Sequence, residues 1–139
     1  MDHPDSWYNE GNAKMKEGKN EDAIISYTKA TELNPAYSSA WNNKGIAMHR
    51  LKRYEEAIIC YDKVIEIDPY HANAWYNKAD ALRGLGNSYL SKANYDRTEA
   101  AKLINKALAF FDSADACYDN GESLSRKSTE QKNEKINDF

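Results

Sequence analysis

The residue types that most often perform chemistry are few and scattered in this sequence. The three histidines, His3, His49 and His71, stand singly, and no HExxH motif, glycine-rich phosphate loop or nucleophile elbow is present. The two cysteines, Cys60 and Cys117, lie in apolar-periodic segments without a partner at metal-ligand spacing, so we expect reduced core residues. The sequence therefore predicts a protein that is not an enzyme and that has no metal site and no cofactor.

Composition and charge limit the function classes further. The chain has 139 residues, 41% of them hydrophobic, which suits one domain with its own core. Its net charge of -3 gives no global attraction to nucleic acids or anionic membranes. The N-terminal MDHPDSWYNEGNAK lacks the basic and apolar regions of a signal peptide, and no run approaches the roughly 20 apolar residues of a membrane span. We expect a cytoplasmic protein that acts through its surfaces.

Any surface site must be positioned by a repeated element. Trp7, Trp41 and Trp75 are separated by 34 residues each, and self-similarity at such a period is typical of repeat architectures. Residues 4–37 align with residues 38–71 without a gap. The two segments also share Gly11/Gly45, Ala23/Ala57, Tyr27/Tyr61 and Pro35/Pro69.

Each repeat contains two helical patterns. Their matching residues recur at i, i+4 and i+7, which is one face of a helix, and Asn34-Pro35 and Asp68-Pro69 end the second helix. Small residues recur where two helices must approach closely. One such hairpin cannot bury its own apolar face, so neighbouring repeats are expected to stack around a shared core.

These residues resemble the tetratricopeptide repeat family, whose 34-residue motif places Trp, Leu-Gly, Tyr, Ala, Phe, Ala and Pro at set positions. The resemblance covers two whole repeats and the start of a third, and it departs at the Leu-Gly place, which reads Glu10-Gly11, Lys44-Gly45 and Lys78-Ala79. It implies an all-α fold: a right-handed superhelical array of antiparallel helix pairs, or α-solenoid. We predict a single domain over residues 1–121, with repeats at 4–37, 38–71 and 72–119.

The third repeat is longer than the others. Matching Ala107 to Ala57 and Phe111 to Tyr61 gives about 16 extra residues. Because both arms of an antiparallel pair must grow together, each should gain about eight residues, or roughly 12 Å. Two alternatives stay open. A helix break at Gly84–Gly86 would make residues 87–95 a loop or an extra turn, whereas a different alignment of the last helix with the earlier second helices would reduce the insertion to nine residues.

The last helix is expected to begin near Arg97, with Asp96 and Glu99 as a capping box, and to stop at Asn120-Gly121. Residues 122–139 then form a polar tail, either a weak capping helix or a flexible segment. Because this tail would cover the last helix poorly, Leu103 and Phe110 should stay uncovered. Uncovered apolar surface often marks an interaction site.

The resemblance implies a function as well. In this family the first helices line a concave groove that receives a segment of a partner protein, so we predict a non-catalytic interaction scaffold. The cationic edge formed by Lys16, Arg50 and Arg83, with His49 nearby, favours an acidic partner segment. Transferred place by place, the groove residues are Tyr8, Asn42 and Tyr76; Asn12, Ile46 and Asp80; Met15, His49 and Arg83; and Lys16, Arg50 and Gly84.

Members of the family that hold the free C-terminus of a chaperone use a carboxylate clamp of two asparagines and three cations. This sequence keeps the asparagines, Asn12 and Asn43, but has Tyr8, Asn73 and Asn77 where the cations belong. A terminal carboxylate would lose its paired charges there, so we predict that this chain does not bind such a terminus.

Two other functions are alternatives to peptide binding in the groove. One is a self-assembling structural module that forms a homo-oligomer through the extended third hairpin, using Tyr89, Leu90, Leu103 and Phe110. The other is a helical-repeat RNA binder of the pentatricopeptide kind, which a period of 34 and a pI near 5.6 disfavour.

Overall fold

The structure, a computed structural model, describes residues 3–95 and 98–138. Within these residues the chain forms six α-helices and no strand, packed in sequence order as three antiparallel pairs that stack on one another. The predicted all-α helical solenoid is confirmed. The helices are α1 (Pro4–Lys16), α2 (Asn20–Leu33), α3 (Ser38–Arg50), α4 (Tyr54–Ile67), α5 (Ala72–Tyr95) and α6 (Ala100–Asn137).

Glycine at the centre of the first helix lets each of the first two pairs close tightly. A Cβ on Gly11 would lie 2.5 Å from the ring of Tyr27, and one on Gly45 would lie 2.6 Å from the ring of Tyr61. Both rings are fully buried, so neither could move away without disturbing the core. The crossing of the two helices therefore requires the missing side chain, as the small residues in the sequence predict.

Successive pairs share a core because each second helix packs against the repeat that follows. Ile24 of α2 packs on the cluster around Tyr61, and Ile58 of α4 packs on the next cluster, around Cys117. None of the helices in the described part of the chain has an apolar stretch that could span a lipid bilayer.

The third pair has a different register from the one predicted. Tyr118, rather than Phe111, takes the place that Tyr27 has in the first repeat. The Tyr118 hydroxyl donates to the Asp80 carboxylate, just as the Tyr27 hydroxyl donates to Asn12 Oδ1. The match of Phe111 to Tyr61 is therefore wrong.

The corrected register enlarges the insertion. The tripeptide Cys-Tyr-Asp at residues 60–62 returns at residues 117–119, an offset of 57 instead of 34, which leaves 23 extra residues rather than about 16. The helix α5 has 24 residues where α3 has 13, so each arm gains about eleven residues. At 1.5 Å per residue, this extension of the third hairpin projects about 16 Å beyond the other pairs.

The two glycines at which a break was an alternative lie inside the continuous helix α5. A Cβ on Gly84 would collide with the ring of Tyr54, and one on Gly86 would lie 2.7 Å from the ring of Phe111. Each glycine thus admits an aromatic ring from a neighbouring helix. The alternative of a break is wrong, because these contacts compensate for the weak helix propensity of glycine.

The start of α6 differs from the predicted capping box. Asp96 and Arg97 lie outside the described residues, and Glu99 precedes the helix instead of lying in its first turn. A helix that begins at Ala100 leaves Glu99 at the N-cap position, where its side chain makes no capping hydrogen bond.

The predicted stop at Asn120-Gly121 is also wrong. Gly121 is buried within α6, where a Cβ would lie 2.8 Å from the ring of Tyr76. The helix continues to Asn137, and every described residue from Arg126 onward is exposed. Residues 126–137 therefore form an exposed helix, of which Lys127, Ser128 and Gln131 line an open pocket beside Tyr70.

The outer face of the last repeat carries the polar residue Asp115. In the corrected register, Asp115 occupies the place of Ile24 and Ile58, which pack on the following repeat. Asp115 is exposed and pairs with Arg83 at 3.6 Å. A carboxylate in this place is a poor surface for stacking a fourth repeat.

Candidate functional site

The predicted groove residues, together called the groove face, come from α1, α3 and α5. All of them are half-buried or exposed. Where the first two repeats meet, the Asn43 side-chain nitrogen donates to Asn12 Oδ1 at 3.0 Å and to the Tyr8 hydroxyl at 3.3 Å. The Tyr27 hydroxyl donates to the same Asn12 oxygen at 2.8 Å. The orientation of both carboxamides is therefore set within the protein.

A second bond of the same kind joins the next two repeats. The Asn77 side-chain nitrogen donates to Asn42 Oδ1 at 3.1 Å. Each bond uses one end of a carboxamide and leaves the other end without a partner among the described residues. Four groups remain available on the groove face: Nδ2 of Asn12 and Asn42, and Oδ1 of Asn43 and Asn77.

An open hollow of about 310 Å³ lies between α3 and α5 on this face. Sequence reasoning identified four of its lining residues, and the structure brings them together. It missed the other two, Tyr61 and Asn77, because Tyr61 matches a core position of the repeat and Asn77 was considered only as a clamp position. The hollow is lined by Ile46, His49, Arg50, Tyr61, Asn77 and Asp80.

The phenols beneath the groove face are neutral donors at neutral pH. Burial raises the pKa of Tyr27 to about 12. Burial, followed by the nearby Cys60 and Asp80, also raises the pKa of Tyr61 well above its usual range. Neither hydroxyl loses its proton under physiological conditions.

Of the three residues predicted to form the cationic edge, only two have no carboxylate partner among the described residues. Lys16 forms no ion pair with any described residue, and the Arg50 guanidinium has no carboxylate partner among them and donates to the sulfur of Met15 at 3.8 Å. Arg83 instead pairs with Asp115 and lies 4.8 Å from the centre of the Tyr118 ring. The free positive charge is therefore concentrated on α1 and α3.

Tyr76 has a different environment from Tyr8 and Asn42, its counterparts in the other repeats. Its hydroxyl lies 3.3 Å from Ser125 Oγ, and its ring packs over Gly121. The continuation of α6 thus covers Tyr76 and closes the groove face at its C-terminal end.

The residues predicted for self-association largely face each other. Tyr89 of α5 stacks on Phe110 of α6 with ring centroids 5.5 Å apart. Leu90 and Leu103 are half-buried. The larger exposed apolar side chains on α6 of this hairpin are Ile104 and Leu108, at 41% and 52% exposure.

Groups suited to catalysis or metal binding are not assembled in the described residues. No cluster of three His, Cys, Asp or Glu side chains that could hold a metal ion occurs there. Burial raises the pKa of Cys60 to about 11 and that of Cys117 above its usual range, so both thiols stay protonated and poorly nucleophilic.

Comparison with known families identifies the repeat. Two family models, each described as a tetratricopeptide repeat, match residues 8–72 and 60–100. Together they cover about two thirds of the chain. No curated protein matches the sequence.

Solved structures share the fold. The second TPR of Spaghetti (RPAP3), bound to HSP90 peptide SRMEEVD, has 25% identity and a TM-score of 0.57 over 81% of this chain and 89% of that one. The TPR2B domain of yeast Sti1, in a pHsp70 complex, has 24% identity and a TM-score of 0.59 over 86% and 96%. The MamA protein has 21% identity and a TM-score of 0.63 over 88% of this chain, which spans 58% of the MamA chain. With its 34-residue helix pairs and both family matches, the chain belongs to the tetratricopeptide repeat family.

Proposed function

We propose that this protein is a non-catalytic interaction module that binds an extended segment of a partner protein along the groove face. The observation that carries this proposal is the set of carboxamide groups on α1, α3 and α5, each hydrogen-bonded within the protein at one end and open at the other. Relatives of the same fold support it, since the Spaghetti domain at 25% identity is bound to a peptide.

The open carboxamide groups suit a peptide backbone. Two side-chain N–H donors and two carbonyl acceptors lie on the groove face, and an extended backbone presents groups complementary to both kinds. Because the protein already fixes the carboxamides, little side-chain entropy is lost when the segment binds.

The free cations select the composition of that segment. Lys16 and Arg50 lie at the ends of α1 and α3 without carboxylate partners, so an acidic residue placed there gains an ion pair without breaking one. Beyond them, Asp80 and the Arg83–Asp115 pair offer no free positive charge. We therefore expect acidic residues at the α1–α3 end of the bound segment.

Binding of a chaperone C-terminus is a separate hypothesis, which can be tested with the peptide SRMEEVD. Tyr8, Asn73 and Asn77 supply no cation where the clamp needs three, and Asn12 and Asn43 are hydrogen-bonded to each other. In fluorescence anisotropy we expect no saturable binding of labelled SRMEEVD below about 100 µM. Micromolar binding would show that the clamp works without its cations.

The experiment that tests the proposal is selection of 12-residue peptides from a phage-displayed library, followed by affinity measurement. We expect selected peptides to be richer in Asp and Glu than the unselected library. Affinity should fall about tenfold or more in the double variant Lys16→Glu/Arg50→Glu. A matched control, Lys63→Glu/Lys102→Glu, makes the same change of charge on α4 and α6, outside the groove face.

Three results would contradict the proposal: no selected peptide, selection of basic peptides, or equal loss of affinity in both double variants. The light-scattering mass of the protein, measured over a range of concentrations, tests the alternative of self-association. That alternative now concerns the exposed Ile104 and Leu108 of the extended hairpin.

A further inference from the structure

One hydrogen bond present in the first and third repeats is missing from the second. The Tyr27 hydroxyl donates to Asn12, and the Tyr118 hydroxyl donates to Asp80. In the second repeat the corresponding hydroxyl is that of Tyr61, but the acceptor position is occupied by Ile46, which has no polar group. Tyr61 has no hydrogen-bond partner among the described residues.

The position of Tyr61 makes the missing bond consequential. The residue is 1% exposed, and it lines the open hollow between α3 and α5. A hydroxyl that the protein leaves without an acceptor is available to donate to a ligand that supplies one. The hollow therefore contains a donor that is positioned by the core and unused by the protein.

The other walls of the hollow restrict what can bind. The α5 wall carries the Asn77 carbonyl oxygen, which is not used in the bond to Asn42, and the Asp80 carboxylate. Both are acceptors. A ligand group that fills the hollow must consequently accept a hydrogen bond from Tyr61 and donate one to Asn77 or Asp80.

Charged ligand groups fail one of these conditions. A carboxylate accepts from Tyr61 and is attracted by Arg50, which also lines the hollow, but it has no hydrogen to donate to Asn77 or Asp80. An ammonium donates to Asp80, but it offers no acceptor for the Tyr61 hydroxyl hydrogen. An amide group has both a carbonyl oxygen and an N–H.

We propose that the side of the hollow formed by Tyr61, Asn77 and Asp80 is a subsite for an amide group of the partner segment. The amide carbonyl accepts from the Tyr61 hydroxyl, and its N–H donates to Asn77 or Asp80. This inference rests on the proposed function, because it assigns one position within the same groove face. The amide belongs either to the backbone of the segment or to an Asn or Gln side chain.

The first test measures binding of a library-selected peptide to variants of the hollow. Tyr61→Phe removes the donor alone, and we expect the dissociation constant to rise about three- to tenfold. Ile46→Asn restores the acceptor seen in the first repeat, so it should satisfy Tyr61 internally and weaken the peptide similarly. Tyr70→Phe, on the exposed α4–α5 connection, is the matched control and should bind like the wild type.

The second arm separates the two sources of the amide. Replacing each Asn or Gln of the peptide by Ala tests the side-chain source, and methylating each backbone nitrogen in turn tests the backbone source. The modification at the position bound in the hollow should weaken binding to the wild type but have little further effect in Tyr61→Phe. If no modification depends on Tyr61 in this way, the amide assignment is wrong.

The failure of this inference is distinguishable from the failure of the proposed function. If Lys16→Glu/Arg50→Glu loses the peptide while Tyr61→Phe keeps full affinity, the result supports peptide binding along the groove face and contradicts the amide subsite. If the library yields no peptide, NMR titration with N-methylacetamide and propionamide, against acetate as the control, still tests the hollow. Shifts of the Asn77 side-chain signals with the amides alone, absent in Tyr61→Phe, support the subsite, and equal or no shifts overturn it.

Discussion

The equivalent tyrosines of the first two repeats should respond differently to loss of the hydroxyl. Tyr27→Phe removes a hydrogen bond of 2.8 Å to Asn12 from a fully buried residue. We expect the free energy of unfolding to fall by about 1 kcal/mol, because a net intramolecular hydrogen bond is worth about that much. For a chain of this size the melting temperature should fall by roughly 3–5 °C.

Tyr61→Phe removes a hydroxyl of almost equal burial that has no partner. Its loss takes away no hydrogen bond to another described residue, so the free energy of unfolding should change by no more than a few tenths of a kcal/mol. Urea denaturation of both variants, with an unchanged m-value, measures the difference. Equal destabilisation of the two variants would refute the reasoning, because it would show that the Tyr61 hydroxyl is hydrogen-bonded in the folded protein.

A double-mutant cycle extends this comparison. Ile46→Asn loses apolar packing in either background, but only in the wild type does the new carboxamide find the Tyr61 hydroxyl. The substitution should therefore be about 1 kcal/mol less destabilising in the wild type than in Tyr61→Phe. Additive effects would mean that position 46 is out of reach of the hydroxyl.

Three further predictions concern stability. Gly45→Ala should lower the free energy of unfolding by about 1–3 kcal/mol in urea denaturation, because its Cβ would lie 2.6 Å from the buried Tyr61 ring; an unchanged midpoint would contradict the close crossing. Removing residues 126–139 should leave the melting temperature unchanged, since the described part of this segment is wholly exposed; a lower melting temperature would reveal unrecognised packing. The Cys60 thiol, with its pKa raised from 9.0 to about 11, stays neutral in the folded state while the unfolded thiol ionises, so stability present below pH 9 is lost as pH rises toward 11. At pH 10.5 Cys60 should account for a loss of about 2 kcal/mol relative to pH 8, so the total loss should be smaller by that amount in Cys60→Ala, where the buried Tyr27 and Tyr61 still contribute.

The third repeat shows why part of the fold was misread from the sequence. The two insertions considered there, nine and about 16 residues, and the 23 found in the structure differ by seven each. Seven residues are nearly two turns of an α-helix, so each shift leaves the same residues on the apolar face. The contact of Gly86 with Phe111 repeats the glycine–aromatic crossing two turns away from Tyr118, which makes the wrong register locally plausible. The recurring Cys-Tyr-Asp tripeptide was the signal that could have decided between them.

The residues of the groove face remain a prediction from the repeat period, and that period gives no information on how they are hydrogen-bonded. The repeat period places Ile46, His49, Arg50 and Asp80 at equivalent surface positions, and the structure brings them around one hollow. The pairing of Arg83 with Asp115 could not be predicted, because it depends on the register of α6 against α5. The cover over Tyr76 likewise depends on Gly121 continuing a helix that its residue type alone would end.

The sequence by itself determined the architecture, because a 34-residue period of tryptophan, glycine, tyrosine and proline is compatible only with repeated helix pairs whose faces are buried by their neighbours. Only the tertiary structure decided which polar groups are satisfied. Whether Tyr61 finds an acceptor depends on a residue 15 positions away, on the opposing helix of the pair, and no local pattern records that distance. Period is a property of the chain, whereas hydrogen-bond satisfaction is a property of the atoms that packing brings together.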